Sequence, residues 1–293
     1  MIDIPLKTWV IASRPKTLPA AMAPVLIGTA MAYESGGFHL LSCIAAVIGA
    51  LLIQIGTNFA NDYYDYKKGA DEGERLGPTR VTQSGMVTPS TMKKATYSIF
   101  SLALIAGVYL VFRGGWPIVI IGLSSILFGI LYTGGPYPLG YNGLADIFVL
   151  IFFGPVAVGG TYYVQTLDIN YIVLLAGLSP GLFSVAILTV NNLRDIDNDK
   201  RVGKKTLAVR FGVPYARIQY SASVIIAIII PLLIVLFISD KYFSLISLLT
   251  LIVAIPLLKK VYTVIGRELN NVLASTGQLL LLNSILFSIG WLL

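Results

Sequence analysis

An all-α, polytopic membrane protein is the fold this sequence predicts, on three observations. The chain is 56% hydrophobic and only 12% charged, with a mean hydropathy of +0.81. A soluble domain carries about 25% charged residues. Its apolar residues fall in long runs, and a hydrocarbon core about 30 Å thick takes roughly 20 such residues per helix. Its basic residues also alternate. With the N-terminus placed in the cytoplasm, only Arg113 and Lys241 of the 21 Lys and Arg residues fall on the opposite side, as the positive-inside bias requires.

The elements follow in order. Lys7, Arg14 and Lys16 precede a first apolar segment at 17–34, and a second at 38–60 ends in an acidic stretch. The loop after it carries Lys67, Lys68, Arg75, Arg80, Lys93 and Lys94. Segments at 91–112, 116–133, 143–164 and 171–192 follow, and a second charged loop runs from Arg194 to Arg217. Segments at 219–238, 242–258 and 272–292 complete a count of about nine, with Pro231 and Pro256 set to kink two of them. This places the N-terminus in the cytoplasm and the C-terminus on the opposite side of a cell membrane. We expect one transmembrane domain over 1–293, with long functional loops at about 61–90 and 193–218. The N-terminus lacks the layout of a cleaved signal peptide.

Composition removes several classes. A single cysteine, Cys43, excludes disulfides within the chain and cysteine-based metal clusters, and the lone His39 excludes a multi-histidine site. The net charge of +7 is explained by basic loops at a membrane surface, so no nucleic-acid partner is expected. No GxxxxGK[ST] phosphate loop occurs; GKKT at 203–206 matches only its tail.

Eight of the 14 acidic residues lie in two windows: Asp62, Asp65, Asp71, Glu72 and Glu74, then Asp195, Asp197 and Asp199. Asn58, Asp62 and Asp65 stand at i, i+4, i+7, and Asn191, Asp195 and Asp199 at i, i+4, i+8. Each set shares one helical face. An Asp at the centre of a membrane helix costs roughly 2.5–3.5 kcal/mol to insert, and stacked carboxylates also repel one another. A bound hard cation relieves both penalties, and Mg²⁺ takes one or two carboxylates together with substrate phosphates. Asn58 and Asn191 are placed to add a carbonyl ligand or to orient an Asp. The basic neighbours Arg75, Arg80, Arg194, Lys204 and Lys205 suit a diphosphate, whose charge grows as it leaves. The tyrosines near the same helix ends fit an interfacial belt. A transporter built on these charges needs a polar path to the far side, and the outer halves of the segments are largely apolar.

NxxxDxxD at Asn58, Asp62 and Asp65, with DxxxD at Asp195 and Asp199, resembles the UbiA superfamily of intramembrane aromatic prenyltransferases. RPKTLPAAMAPVLIGTA at 14–30, NDYYDYKKGAD and GPTR within 61–80, YTGGPYPLGYNGLAD at 132–146 and NNLRDIDNDKRVGKKTLAVRFG at 191–212 resemble its dihydroxynaphthoate-using branch. The resemblance implies helices around a central cavity open to the cytoplasmic side. It implies two Mg²⁺ ions, one on Asn58, Asp62 and Asp65 and one on Asn191, Asp195 and Asp199. Polyprenyl diphosphate, 1,4-dihydroxy-2-naphthoate and the lipid bilayer become the partners, with Arg14, Lys16, Asp71 and Asp146 as acceptor-side candidates. Other acceptors of the superfamily's kind are 4-hydroxybenzoate, homogentisate or a lipid alcohol. Two positions depart from the pattern. Some members carry YxxxK after the fourth segment, where Tyr132 is here followed by Pro136, and Asp146 stands where Glu is expected.

Overall fold

A computed structural model describes residues 4–69 and 76–293. The expectations resting on Asp71, Glu72, Glu74 and Arg75 lie outside the described residues. Every regular element among those described is helical. A short helix α1 (Leu6–Ser13) leads into α2 (Pro19–Glu34), α3 (Leu40–Lys67), α4 (Pro89–Gly114) and α5 (Trp116–Leu131). Then come α6 (Ala145–Phe152), α7 (Pro155–Thr166), α8 (Tyr171–Arg194), α9 (Ile196–Arg201), α10 (Leu207–Phe237), α11 (Thr250–Thr263) and α12 (Leu269–Leu292).

The helix starts are written locally. Thr88 accepts from the Thr91 N–H ahead of α4, Asn170 from Val173 ahead of α8 and Thr206 from Val209 ahead of α10. Each satisfies a donor that the first turn leaves open. His39 does the same for α3, its Nδ1 accepting from the Ser42 N–H at 3.3 Å. Pro19, Pro89, Trp116-Pro117 and Pro155 put proline in the first turn, where no N–H is needed.

All nine expected segments are helical, and seven among the described residues are long and apolar enough to cross a membrane. The other two, α2 and α5, have 16 residues each, so length alone does not settle a count of nine. The segment expected at 143–164 is broken at Gly154, and α10 starts at Leu207, well before the expected 219. Gly154, Gly177 and Gly181 let the α6–α7 break press backbone to backbone against α8, where any Cβ would collide.

α8 is the hub. In its most apolar window 78% is buried, against 17% in α3 and in α4. It packs against α10, α7, α12, α6 and α2. With no hydrophobic drive between helices in lipid, small residues and polar contacts hold them. Asn283 of α12 accepts from Ser179 of α8 and donates to Thr250 and to the Ser247 carbonyl.

Helices α2 to α7 enclose an apolar cavity of about 510 Å³. It runs from Tyr132, Thr57 and Leu139 at the end bearing the acidic stretches to Phe112 and Val164 at the other. α3, at 28 residues, spans about 42 Å, so its last turns emerge beyond a core about 30 Å thick. That overhang carries the first acidic stretch to the cavity mouth.

Candidate active site

Two helix ends meet here, through one ammonium group. Lys204 Nζ lies 3.3 Å from Asp199 and 4.0 Å from Asp65, joining the loop after α9 to the end of α3. Asp65 is buried and accepts from Arg80 Nη2 at 2.6 Å and from the Tyr141 hydroxyl at 3.0 Å. Asp199 is buried too. Burial, opposed by Lys204 and reinforced by Asp195, pushes its carboxyl up to about 6. Burial and the bonded Asp65 carboxylate push the Tyr141 phenol up.

Asp62 does something different. Its two oxygens accept the backbone N–H groups of Val81 and Thr82, both at 3.0 Å. Val81 and Val87 pack with Phe59 and Met92, so the segment ahead of α4 is pinned on α3 by one carboxylate and an apolar cluster. Arg80 is thereby aimed at Asp65. Asn58, expected beside the metal, donates through Nδ2 to the Ser13 carbonyl at 2.9 Å and to Thr17 at 3.2 Å. One turn on, Asn61 is buried and accepts from Thr133 at 2.9 Å. Asn61 and Asp65 repeat the i, i+4 spacing of Asn58 and Asp62 three residues later, and that spacing was the available signal for it.

Arg194, expected to bind diphosphate, has its whole guanidinium engaged within the protein. Nε and Nη2 hold Asp195 at 2.8 and 2.5 Å, Nη2 also reaches Asn191 at 2.7 Å and Nη1 reaches Asn270 at 2.8 Å. Asn270 in turn donates to the Leu76 carbonyl at 2.8 Å. Gly77 passes so close that a Cβ there would stand 2.7 Å from Arg194 Nη2. The residue is a fastener between α8, α12 and the segment before α4. Lys16 and Lys205 are exposed. The Lys205 backbone N–H donates to the Tyr141 carbonyl at 2.7 Å.

Arg14 turns inward. It has a left-handed backbone, φ 51°, rare for a residue with a side chain. Its Nη2 is buried without a hydrogen-bond partner. Burial pushes the guanidinium down, and Asp62 and Asp65 oppose that. Tyr132 lies within electrostatic reach of Asp146, Asp65, Asp199 and Arg14, and lines the cavity mouth. Asp146 is buried and accepts from Gln219 at 2.7 Å. Lys68, which sequence reasoning passed over, donates to the Thr133 carbonyl at 2.6 Å and lies 4.4 Å from the Tyr141 ring centroid.

The arrangement is a polar, mixed-charge chamber opening onto a hydrocarbon cavity. The UbiA prenyltransferase family model matches residues 21–285. The chain belongs to the UbiA prenyltransferase family. It is similar to the 1,4-dihydroxy-2-naphthoate octaprenyltransferase of Haemophilus influenzae, 36% identical over 100% of this chain and 98% of that one. The enzyme of the same name from Escherichia coli is 38% identical over 97% and 94%. Among solved structures, a UbiA homolog from Archaeoglobus fulgidus bound to GPP and Mg²⁺ superposes with a TM-score of 0.72 at 13% identity, over 97% and 99% of the two chains. At that identity the likeness speaks for the UbiA fold alone.

As to a metal, no group of three or more Asp, Glu, His or Cys side chains gathers among the described residues. Two buried carboxylates from different helices do share one ammonium. A hard donor pair of this kind suits Mg²⁺, which uses few carboxylates and completes its shell with water and phosphate.

Proposed function

We propose that this protein transfers a polyprenyl group from an allylic diphosphate to 1,4-dihydroxy-2-naphthoate, with loss of CO₂, giving demethylmenaquinol. The observation that carries the reading is the junction of the Asp65–Lys204–Asp199 bridge with the mouth of the 510 Å³ apolar cavity. A substrate with a diphosphate head and a hydrocarbon tail needs both halves, adjoining. The names of the two bacterial relatives support the acceptor.

Asp65 and Asp199 would hold one Mg²⁺, and Asp195 and Asn61 would contribute to a second. When bound, Mg²⁺ neutralises charge on the departing diphosphate oxygens. Lys204 and Arg80 already stand at that place and stabilise the same charge. The allylic C–O bond breaks, and the cavity wall, of aliphatic and aromatic side chains, keeps water from the carbocation. The electron-rich ring attacks through the carbon bearing the carboxylate, and a C–C bond forms. Loss of CO₂ returns the electron pair to the ring, so the hydroxyl proton given up on attack is taken back. Arg14, with its unpartnered Nη2, is positioned for the acceptor carboxylate, and Asp146 beside Tyr132 for the proton. The Lys and Arg excess in these loops supports a chamber on the cytoplasmic face of a cell membrane.

Incubating the purified protein with dihydroxynaphthoate, a prenyl diphosphate and Mg²⁺ tests the reading by product mass. The expected mass is that of the prenylated, decarboxylated quinol. A prenylated product with 4-hydroxybenzoate, homogentisate or a lipid alcohol instead would overturn the acceptor. Ion flux in proteoliposomes without pyrophosphate release would overturn the chemistry.

A further inference from the structure

Two ammonium groups converge on one aromatic ring at this site. Lys68 Nζ lies 4.4 Å and Lys204 Nζ 4.8 Å from the centroid of Tyr141. A cation over a tyrosine face gains little where exposed, and a second cation brought to the same ring repels the first. Lys204 has compensation in Asp199 and Asp65. Lys68 forms no ion pair among the described residues; its polar contact is the Thr133 carbonyl at 2.6 Å.

The usual behaviour of a lysine at the end of a membrane helix is to extend its head into water. Lys68 is the C-cap of α3 and is exposed as a residue. Its head nonetheless folds back over Tyr141 toward Lys204. Burial pushes the ammonium down, Asp65 opposes this and Lys204 adds to it. An arrangement of two like charges with donors to spare becomes favourable when an anion sits between them. Lys68 also lies two helical turns from Asn61 and one turn from Tyr64, on the same side of α3 as Asn61 and Asp65. It therefore borders the chamber rather than the lipid.

We infer that Lys68 is a substrate-binding residue, holding the diphosphate of the prenyl donor jointly with Lys204 across the Tyr141 ring. The inference rests on the proposed prenyl transfer and gives a role to a residue that the sequence reading left without one. Lys68 sits by the loop in which Pro136 occupies the position of a basic residue in the related pattern, and so supplies a positive charge there from α3.

Lys68→Met keeps the stem and removes the charge; Lys68→Arg restores the charge. For Lys68→Met the KM for prenyl diphosphate and the inhibition constant of inorganic pyrophosphate, both with Mg²⁺, should rise together by about 10- to 100-fold, the loss of one charge-assisted hydrogen bond. The KM for the acceptor should stay put, Lys68→Arg should recover most of the loss, and Lys67→Met, one exposed residue away, should be silent. Pyrophosphate inhibition within about twofold of wild type in Lys68→Met overturns the inference while leaving prenyl transfer standing. If Lys68→Met melts early, Lys68→Gln with the same pyrophosphate measurement decides. If the unaltered protein transfers no prenyl group, the function has failed first, and direct pyrophosphate binding to Lys68→Met still reports on the residue.

Discussion

Replacing Asp62 by alanine separates two roles that spacing alone merges. As a metal ligand, Asp62 would be lost at the cost of Mg²⁺ affinity. As placed here, it holds the backbone N–H groups of Val81 and Thr82, which are 0% and 3% exposed as residues. A buried donor left without its acceptor costs about 1–3 kcal/mol, so the pair costs about 2–6 kcal/mol. The same change loosens the segment that aims Arg80 at Asp65, a buried ion pair whose disruption costs about 3–5 kcal/mol. The expected outcome for Asp62→Ala is a lower melting midpoint in detergent and weak prenyl transfer that added Mg²⁺ does not restore. Asp199→Asn should do the reverse: it removes a carboxylate that burial disfavours, so the protein melts no earlier, but its Mg²⁺ requirement rises. Thermal melts and Mg²⁺ titrations of activity on both variants make the comparison. Should Asp62→Ala melt like wild type and recover full turnover at high Mg²⁺, the anchoring role is refuted and the ligand role reinstated.

Three further outcomes are expected. In metal-free protein, the folded state keeps the Asp199 proton up to about pH 6 while the unfolded chain releases it near 3.8, so stability falls as pH rises between those values. The span of about 2 units corresponds to about 3 kcal/mol, and a melting midpoint that drops between pH 4 and 7 with chelator, but not in Asp199→Asn, would bear it out. His39→Ala should cost about 1 kcal/mol through the lost cap on α3 and leave turnover unchanged, as a melt and a rate measurement on the same sample report. Gly122→Phe should fill part of the cavity, since a side chain there meets open space; competition between short and long prenyl diphosphates should shift toward the short, and an unchanged ratio would exclude that wall from tail selection.

The helices were legible because bilayer thickness writes itself into hydropathy: 91–112 and 171–192 became Pro89–Gly114 and Tyr171–Arg194. α10 ran longer than its apolar run because it joins two helices across a kink at Gly212, φ 83°, and the stretch ahead of the apolar run carries Arg210 and Arg217 and leaves no hydropathy peak. The acidic stretches stood out as a candidate site because buried carboxylates are costly without partners. The choice among neighbours was not. Asn58–Asp62 and Asn61–Asp65 have identical spacing, and what separates them is Ser13 and Thr17 on another element. Arg194 and Lys68 are both basic residues at the end of an apolar helix. Only the contacts of Asn270 and Asn191 make one a fastener, and only those of Tyr141 and Thr133 turn the other toward the chamber.

The charge of the chamber carries one more consequence. Among the described residues, Asp62, Asp65, Asp146, Asp195 and Asp199 are matched by Arg14, Lys68, Arg80, Arg194 and Lys204, so the assembly is close to neutral. A diphosphate arriving alone meets no surplus of positive charge, and Mg²⁺ arriving alone must displace Lys204 from its two carboxylates. Arriving together they nearly cancel, and the displaced ammonium gains an anion. Each should therefore strengthen the binding of the other, by the same factor in both directions because the coupling is one free energy. Titrating pyrophosphate at several fixed Mg²⁺ concentrations, and Mg²⁺ at several fixed pyrophosphate concentrations, measures that factor twice. Two independent, uncoupled affinities would mean that the carboxylates and the lysines serve separate sites, and the Lys204 bridge between Asp65 and Asp199 would lose its meaning as the centre of the enzyme.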